Sequence, residues 1–96
     1  MIDLREEHLR TVKDILSAHV PNCEVRAFGS RVTGKAKPYS DLDLAIIGKA
    51  PLDFDTLRLL EEAFETSELP FRVDVLDWHA ISDSFRRVIE ENYLVI

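Results

Sequence analysis

The residues of this sequence whose types and spacing could do chemistry are a Gly-Ser pair and three aspartates. Gly29-Ser30 is followed, ten residues on, by Asp41-Leu42-Asp43, and a further carboxylate, Asp74, stands between Val73 and Val75. A glycine lets a backbone turn come close to a phosphate, and a serine hydroxyl with the free amides of a following helical turn can donate to phosphate oxygens. Two carboxylates one residue apart on a strand share a face, with backbones about 6 to 7 Å apart, near enough to bridge two hard cations such as Mg²⁺. Asp74 completes the set if its strand lies beside that of Asp41 and Asp43. Such a set supports in-line attack of a hydroxyl on the α-phosphorus of a nucleoside triphosphate, with pyrophosphate leaving and no covalent intermediate on the protein.

The elements that must position these groups can be read from periodicity. Asp3 with Glu6 makes an aspartate form of the capping box, and Leu9, Val12, Leu16 and Val20 recur at helical spacing, predicting a helix over 4–20. Pro21-Asn22 stops it. Glu24 to Phe28 alternates as a half-buried strand that delivers Gly29-Ser30, and Arg31 to Gly34 is short enough for one helical turn. Residues 35–40 read as an exposed loop. Asp41 to Ile47 is a second strand whose continuous apolar run from Ala45 suggests a central place in the sheet. Asp53 is a plausible cap for a helix to about Ser67, Phe71 to Asp77 is a third strand, and Ser82 to Glu91 a last helix. Tyr93 to Ile96 forms an apolar tail suited either to core or to interface.

Composition narrows the function classes. Ninety-six residues, 46% hydrophobic and 31% charged, suit a single domain over 1–96 with a modest core and little room for a separate substrate domain. A net charge of -6 argues against direct nucleic-acid binding, yet Arg26, Arg31, Lys35 and Lys37 make a basic island where a small polyanion could sit. The one cysteine, Cys23, excludes an internal disulfide. No apolar stretch has signal-peptide or membrane-spanning form, so a cytoplasmic location without membrane contact is expected.

Each chemical reading has a plainer rival. A Gly-Ser pair after a strand is usually a turn, and Asp41 and Asp43 could be solvated strand residues. Asp is depleted in strands, however, and two of them opening an apolar run lack a structural motive. Arg31 and Lys37 could steer a triphosphate or merely face solvent, and Asp77 reads as a strand-end residue. His8, His19 and His79 share no ligand spacing.

The stretches Phe28-Gly29-Ser30-Arg31, Gly34, Ser40-Asp41-Leu42-Asp43-Leu44 and Val73-Asp74-Val75 resemble the minimal nucleotidyltransferase (MNT) proteins of the DNA polymerase β-like nucleotidyltransferase superfamily. The resemblance runs from about residue 5 to the end. It implies an α/β (α+β) fold with a small mixed sheet flanked by helices, and Gly29, Ser30 and Arg31 at the nucleotide. It further implies two Mg²⁺ ions held by Asp41, Asp43 and Asp74, with Asp74 near the acceptor hydroxyl. MNT proteins of this size are commonly antitoxins paired with a helical HEPN ribonuclease toxin, which implies AMP transfer from ATP to a tyrosine of that partner within a hetero-oligomer. A silent antitoxin acting by occlusion, and a small-molecule nucleotidyltransferase of the antibiotic-modifying type, are the alternatives.

Overall fold

A computed structural model describes residues 2–96. Four strands, β1 (Glu24–Phe28), β2 (Leu42–Ile47), β3 (Val73–Asp77) and β4 (Leu94–Val95), form one sheet in the order β3-β2-β1-β4. β1 runs antiparallel to both β2 and β4, whereas β2 and β3 are parallel. Parallel neighbours need a crossover, and helix α3 (Phe54–Glu65) supplies it. Helix α1 (Glu6–His19) precedes β1, the single turn α2 (Ser30–Thr33) follows it, and α4 (Asp83–Glu91) precedes β4.

Strand alternation divides the sheet into two faces. Val25, Ala27, Leu42, Leu44, Ile46 and Val75 point to one side, where Val12, Leu16 and Val20 of the α1 region and Leu60 and Phe64 of α3 cover them. Leu42, Leu44, Ile46, Leu60 and Val12 are wholly buried, each such side chain contributing about 1.5 to 3 kcal/mol through removal of apolar surface from water. The opposite side carries Phe28, Asp43 and Ala45. Its cover is α4, whose Phe85 meets Phe28 edge-on at 5.9 Å and whose Ile89 is fully buried. That cover leaves the end of the sheet where β1 finishes and β2 and β3 begin open for a site.

The predicted mixed sheet flanked by helices is therefore the observed one, with three local differences. The Asp3 capping box does not form: α1 starts at Glu6 with Arg5 as its cap residue and no side-chain cap. The backbone of Asp3 is engaged elsewhere, its N–H donating to Arg31 O at 2.7 Å. Strand β2 starts at Leu42, so Asp41 lies just ahead of it. The apolar tail joins the sheet as β4, and Ile96 N donates to Val25 O at 3.0 Å while its side chain packs against the main core. The predicted cap at Asp53 does form, accepting from Thr56 N at 2.7 Å, and Ser82 caps α4 by accepting from Phe85 N at 3.2 Å. Among the described residues, no helix is long and apolar enough to cross a membrane.

Asp77 ties the far end of the sheet together. Its buried carboxylate accepts from Leu52 N at 2.9 Å and from His79 N at 3.0 Å, and His79 Nε2 donates to Gly48 O at 2.7 Å. The connection from β2 into α3 is thereby pinned to the end of β3. Replacing Asp77 by Ala leaves two backbone donors without a partner, and we expect a loss of about 2 to 3 kcal/mol in urea denaturation. A loss below about 0.5 kcal/mol, the range of an ordinary surface substitution, would show that water substitutes for the carboxylate.

Candidate active site

The site grows out of the β1–α2 corner. Gly29 adopts φ 80° and ψ -158°, a conformation that L side chains rarely take. Space forbids a side chain there as well, because a Cβ on Gly29 would land on Asp43 Oδ2. Gly29 O accepts from Val32 N at 3.0 Å and Thr33 N at 3.1 Å, which starts α2 immediately at Ser30. The first amides of a helix have no carbonyl within it to bond, so the corner offers the N–H groups of Ser30 and Arg31 alongside the Ser30 hydroxyl. Gly34, in the left-handed conformation at φ 81°, ends the turn.

Sheet register brings the carboxylates together. Phe28 lies opposite Asp43 across the antiparallel β1–β2 pair, and Asp43 lies beside Asp74 across the parallel β2–β3 pair. Partners in register share a face, so Asp43 and Asp74 stand side by side next to the Gly29 corner. Asp41, one step before β2, is exposed. Its neighbours are anchored on both sides: Ser40 O accepts from Arg31 Nε at 2.9 Å, and Leu42 N donates to Arg72 O at 2.9 Å.

The electrostatics match this crowding. The Asp43 carboxyl titrates above its ordinary value of 3.8, first because it is partly buried and then because Asp74 and Asp41 repel its charge. Asp74 leans toward Arg72, with Oδ1 3.7 Å from the guanidinium. That pair is largely exposed and correspondingly weak. Among the described residues, no three Asp, Glu, His or Cys side chains converge into a set able to hold a metal ion unaided. Asp41, Asp43 and Asp74, the expected ligands, do not form such a set. An open all-oxygen set nevertheless suits Mg²⁺, which is commonly held by one or two carboxylates and completed by substrate phosphates and water.

Arg31 was expected among the nucleotide-binding residues. Its side chain is buried and committed to the protein, donating from Nε to Ser40 O, from NH1 to Asp3 O at 2.9 Å and from NH2 to Pro38 O at 3.2 Å. Its guanidinium also lies 4.3 Å from the centre of the Phe71 ring. Only its backbone amide remains for a phosphate. A cavity of 530 Å³ lies between Arg31, Tyr39, Phe71 and the segment leading into α1, and neither Ser30 nor Asp41, Asp43 or Asp74 lines it. Another, of 450 Å³, reaches Asp74 along α3, past Glu61, Glu65 and Leu69. Arg26 sits away from the corner, between the rings of Trp78 and Tyr93 and 2.6 Å from Glu24. His8 packs against Phe71 instead of facing the site. Sequence reasoning missed Arg72 and Phe71, since neither carries a motif and both matter only through the register of β3.

A model of the nucleotidyltransferase domain family matches residues 9–96. The chain is 56% identical over 95 residues to a probable protein adenylyltransferase MntA of Haemophilus influenzae, spanning 99% of this chain and 83% of that protein. Among solved structures, it superposes at TM-score 0.75 on a toxin-antitoxin with AMP-PNP, covering 90% of this chain and 69% of the other at 22% identity. A mutant of the toxin-antitoxin MntA-HpeT aligns at TM-score 0.75 and 20% identity, over 96% of this chain and 72% of that one. The spectinomycin adenyltransferase of Enterococcus faecialis, with ATP and spectinomycin, aligns at TM-score 0.59 and 19% identity over 96% of this chain and 48% of its own. At these identities the solved structures speak for the shared fold.

The raised Asp43 pKa has a consequence with a definite sign. Below 3.8 the carboxyl is protonated in folded and unfolded chains alike and carries no penalty. As pH rises through the higher folded value, ionisation is resisted only in the folded chain, and stability falls. We therefore expect Asp43→Asn to be more stable than the parent at neutral pH without metal, with the advantage shrinking as the pH approaches 4. Paired urea titrations at the two pH values check it, and a variant less stable than the parent at neutral pH would contradict it.

Proposed function

The chain belongs to the nucleotidyltransferase domain family, and we propose that it is a Mg²⁺-dependent protein adenylyltransferase that moves AMP from ATP onto a tyrosine of a HEPN-type toxin and so acts as its antitoxin. The observation that carries this reading is the pairing of Asp43 with Asp74 beside a glycine that has no room for a side chain. Nothing in folding calls for aspartates at those two positions: they set like charges on neighbouring strands, at a cost in stability.

In this reading the corner holds the triphosphate tail through the Ser30 hydroxyl and the amides of Ser30 and Arg31. Asp41, Asp43 and Asp74 are the groups that would hold two Mg²⁺ ions. When bound, such ions supply neutralisation of the triphosphate and acidification of the acceptor hydroxyl. Asp74 lies on β3, an edge strand of the sheet, where an acceptor can approach without disturbing the core. The 450 Å³ groove ending at Asp74 gives an acceptor segment a path along α3. A bond forms between the tyrosine oxygen and the α-phosphorus, and the bond to the bridging oxygen of the β-phosphate breaks, so that pyrophosphate leaves.

Support for ATP and for a protein acceptor comes from the similarity to the probable protein adenylyltransferase MntA, of which the chain spans 83%. Support for a toxin partner comes from the fold shared with toxin-antitoxin structures. An acidic chain with exposed Tyr39, Phe54, Val88 and Val95 is suited to work on the surface of another protein.

The test is to incubate the chain with ATP, Mg²⁺ and the small helical protein encoded beside it, and to weigh both proteins by mass spectrometry. Addition of AMP to the partner is expected, mapped to tyrosine, and lost with Asp43→Asn and with chelator. Neutralisation of the partner without added mass, equally effective in the Asp41→Ala variant, would replace catalysis by occlusion.

A further inference from the structure

We infer that Arg31 is a positioning residue for nucleotidyl transfer: its buried guanidinium sets the distance between the phosphate-binding corner and the aspartates that hold the cations. The inference rests on the proposed function and adds a residue that acts without touching substrate.

The argument begins with what Arg31 joins. It follows Ser30 directly, so its backbone belongs to the phosphate corner. Its side chain reaches three other segments. Nε donates to Ser40 O, the carbonyl immediately before Asp41; NH2 donates to Pro38 O in the loop leading there; NH1 donates to Asp3 O in the segment ahead of α1. Asp3 N returns a bond to Arg31 O at 2.7 Å, so residue 3 grips both ends of the same arginine. The guanidinium carbon lies over the Phe71 ring, and the carbonyl of the next residue, Arg72, accepts from Leu42 N on the other side of Asp41. Phe71 stands three residues before Asp74.

Every protein segment carrying a proposed site residue is thus tied, directly or through one neighbour, to a single side chain. The loop over 35–40 needs such a tie. It includes exposed Lys35, Lys37, Pro38 and Tyr39, and its internal hydrogen bonds are the short turn from Lys37 to Ser40. Without a fixed Ser40 carbonyl, Asp41 would hang from a surface loop on one side. A guanidinium suits this role because it presents five donors in a rigid plane, can serve three carbonyls at once and can still stack on a ring. Lysine has the charge but offers a compact head that cannot span the same three acceptors in one plane.

The test compares the parent with Arg31→Lys and with Phe71→Leu, which keeps an apolar side chain against the core and removes the ring beneath the guanidinium, together with its contact to His8. Each protein is melted over a range of Mg²⁺ concentrations with a non-hydrolysable ATP analogue, and AMP transfer to the partner is assayed for KM and kcat. Loss of an outer group that orients metal ligands commonly costs about 10- to 100-fold in metal affinity or activity. Arg31→Lys is expected to melt cooperatively, to need at least about tenfold more Mg²⁺ for half of its ligand-induced stabilisation, and to lose kcat more than it raises KM for ATP. Phe71→Leu is expected to shift the same way by less. Unchanged Mg²⁺ dependence and kcat in a folded Arg31→Lys would overturn the inference. Should Arg31→Lys not fold, unchanged values in Phe71→Leu would overturn it equally. A parent protein that gains no stability from Mg²⁺ and nucleotide would remove the proposed function itself, a different outcome from a responsive parent with an indifferent variant.

Discussion

Two like charges held side by side are the constraint on which this structure turns. Asp43 and Asp74 occupy adjacent register positions on β2 and β3 and share a face, with Asp41 close by. Repulsion alone would shift one strand by a residue or turn the side chains apart. A one-residue slip, however, would rotate Leu42, Leu44 and Ile46 out of the core. Those side chains are fully buried under α1 and α3, and their burial far outweighs a repulsion between partly solvated carboxylates. The apolar face therefore dictates the register, and the register imposes the acidic pair.

The same logic explains the glycine. Asp43 is placed so close to the β1–α2 corner that only a residue without a side chain fits at position 29, and the backbone there takes a conformation that favours glycine. Chain geometry and charge placement thus meet at one contact, between the β1–α2 turn and the Asp43 carboxylate. A site of this kind is less stable when empty of cations than an uncharged version would be, a common relation between function and stability. Elsewhere the polar groups are conventionally satisfied: among the described residues, no buried side-chain nitrogen or oxygen lacks a hydrogen-bond partner.

Much of this arrangement was legible in the residues themselves. Spacing alone put Asp41 and Asp43 on one face, and the Pro and Gly punctuation located the three principal strands and the helices between them. The neighbourhood of Asp74 was not legible, because strand order and register depend on packing between residues thirty positions apart. The setting of the Arg31 side chain was not legible for a related reason. A basic residue after a Gly-Ser turn invites a phosphate, yet its actual partners are backbone carbonyls at Asp3, Pro38 and Ser40, which leave no imprint on side-chain chemistry. Asp3 failed as a cap because that same arginine claims its backbone. The apolar tail became β4 because β1 had a free edge to offer, a fact about the assembled sheet.

The central claim, that folding forces Asp43 into an acidic cluster which a divalent cation relieves, is tested most directly by following the Asp43 carboxyl carbon by NMR as pH is varied. Without metal, the account predicts titration above 3.8. With Mg²⁺ and a non-hydrolysable ATP analogue, it predicts a fall to below that value, since a bound cation favours the ionised form. Titration in the ordinary carboxylate range, with no response to Mg²⁺ and nucleotide, would contradict it.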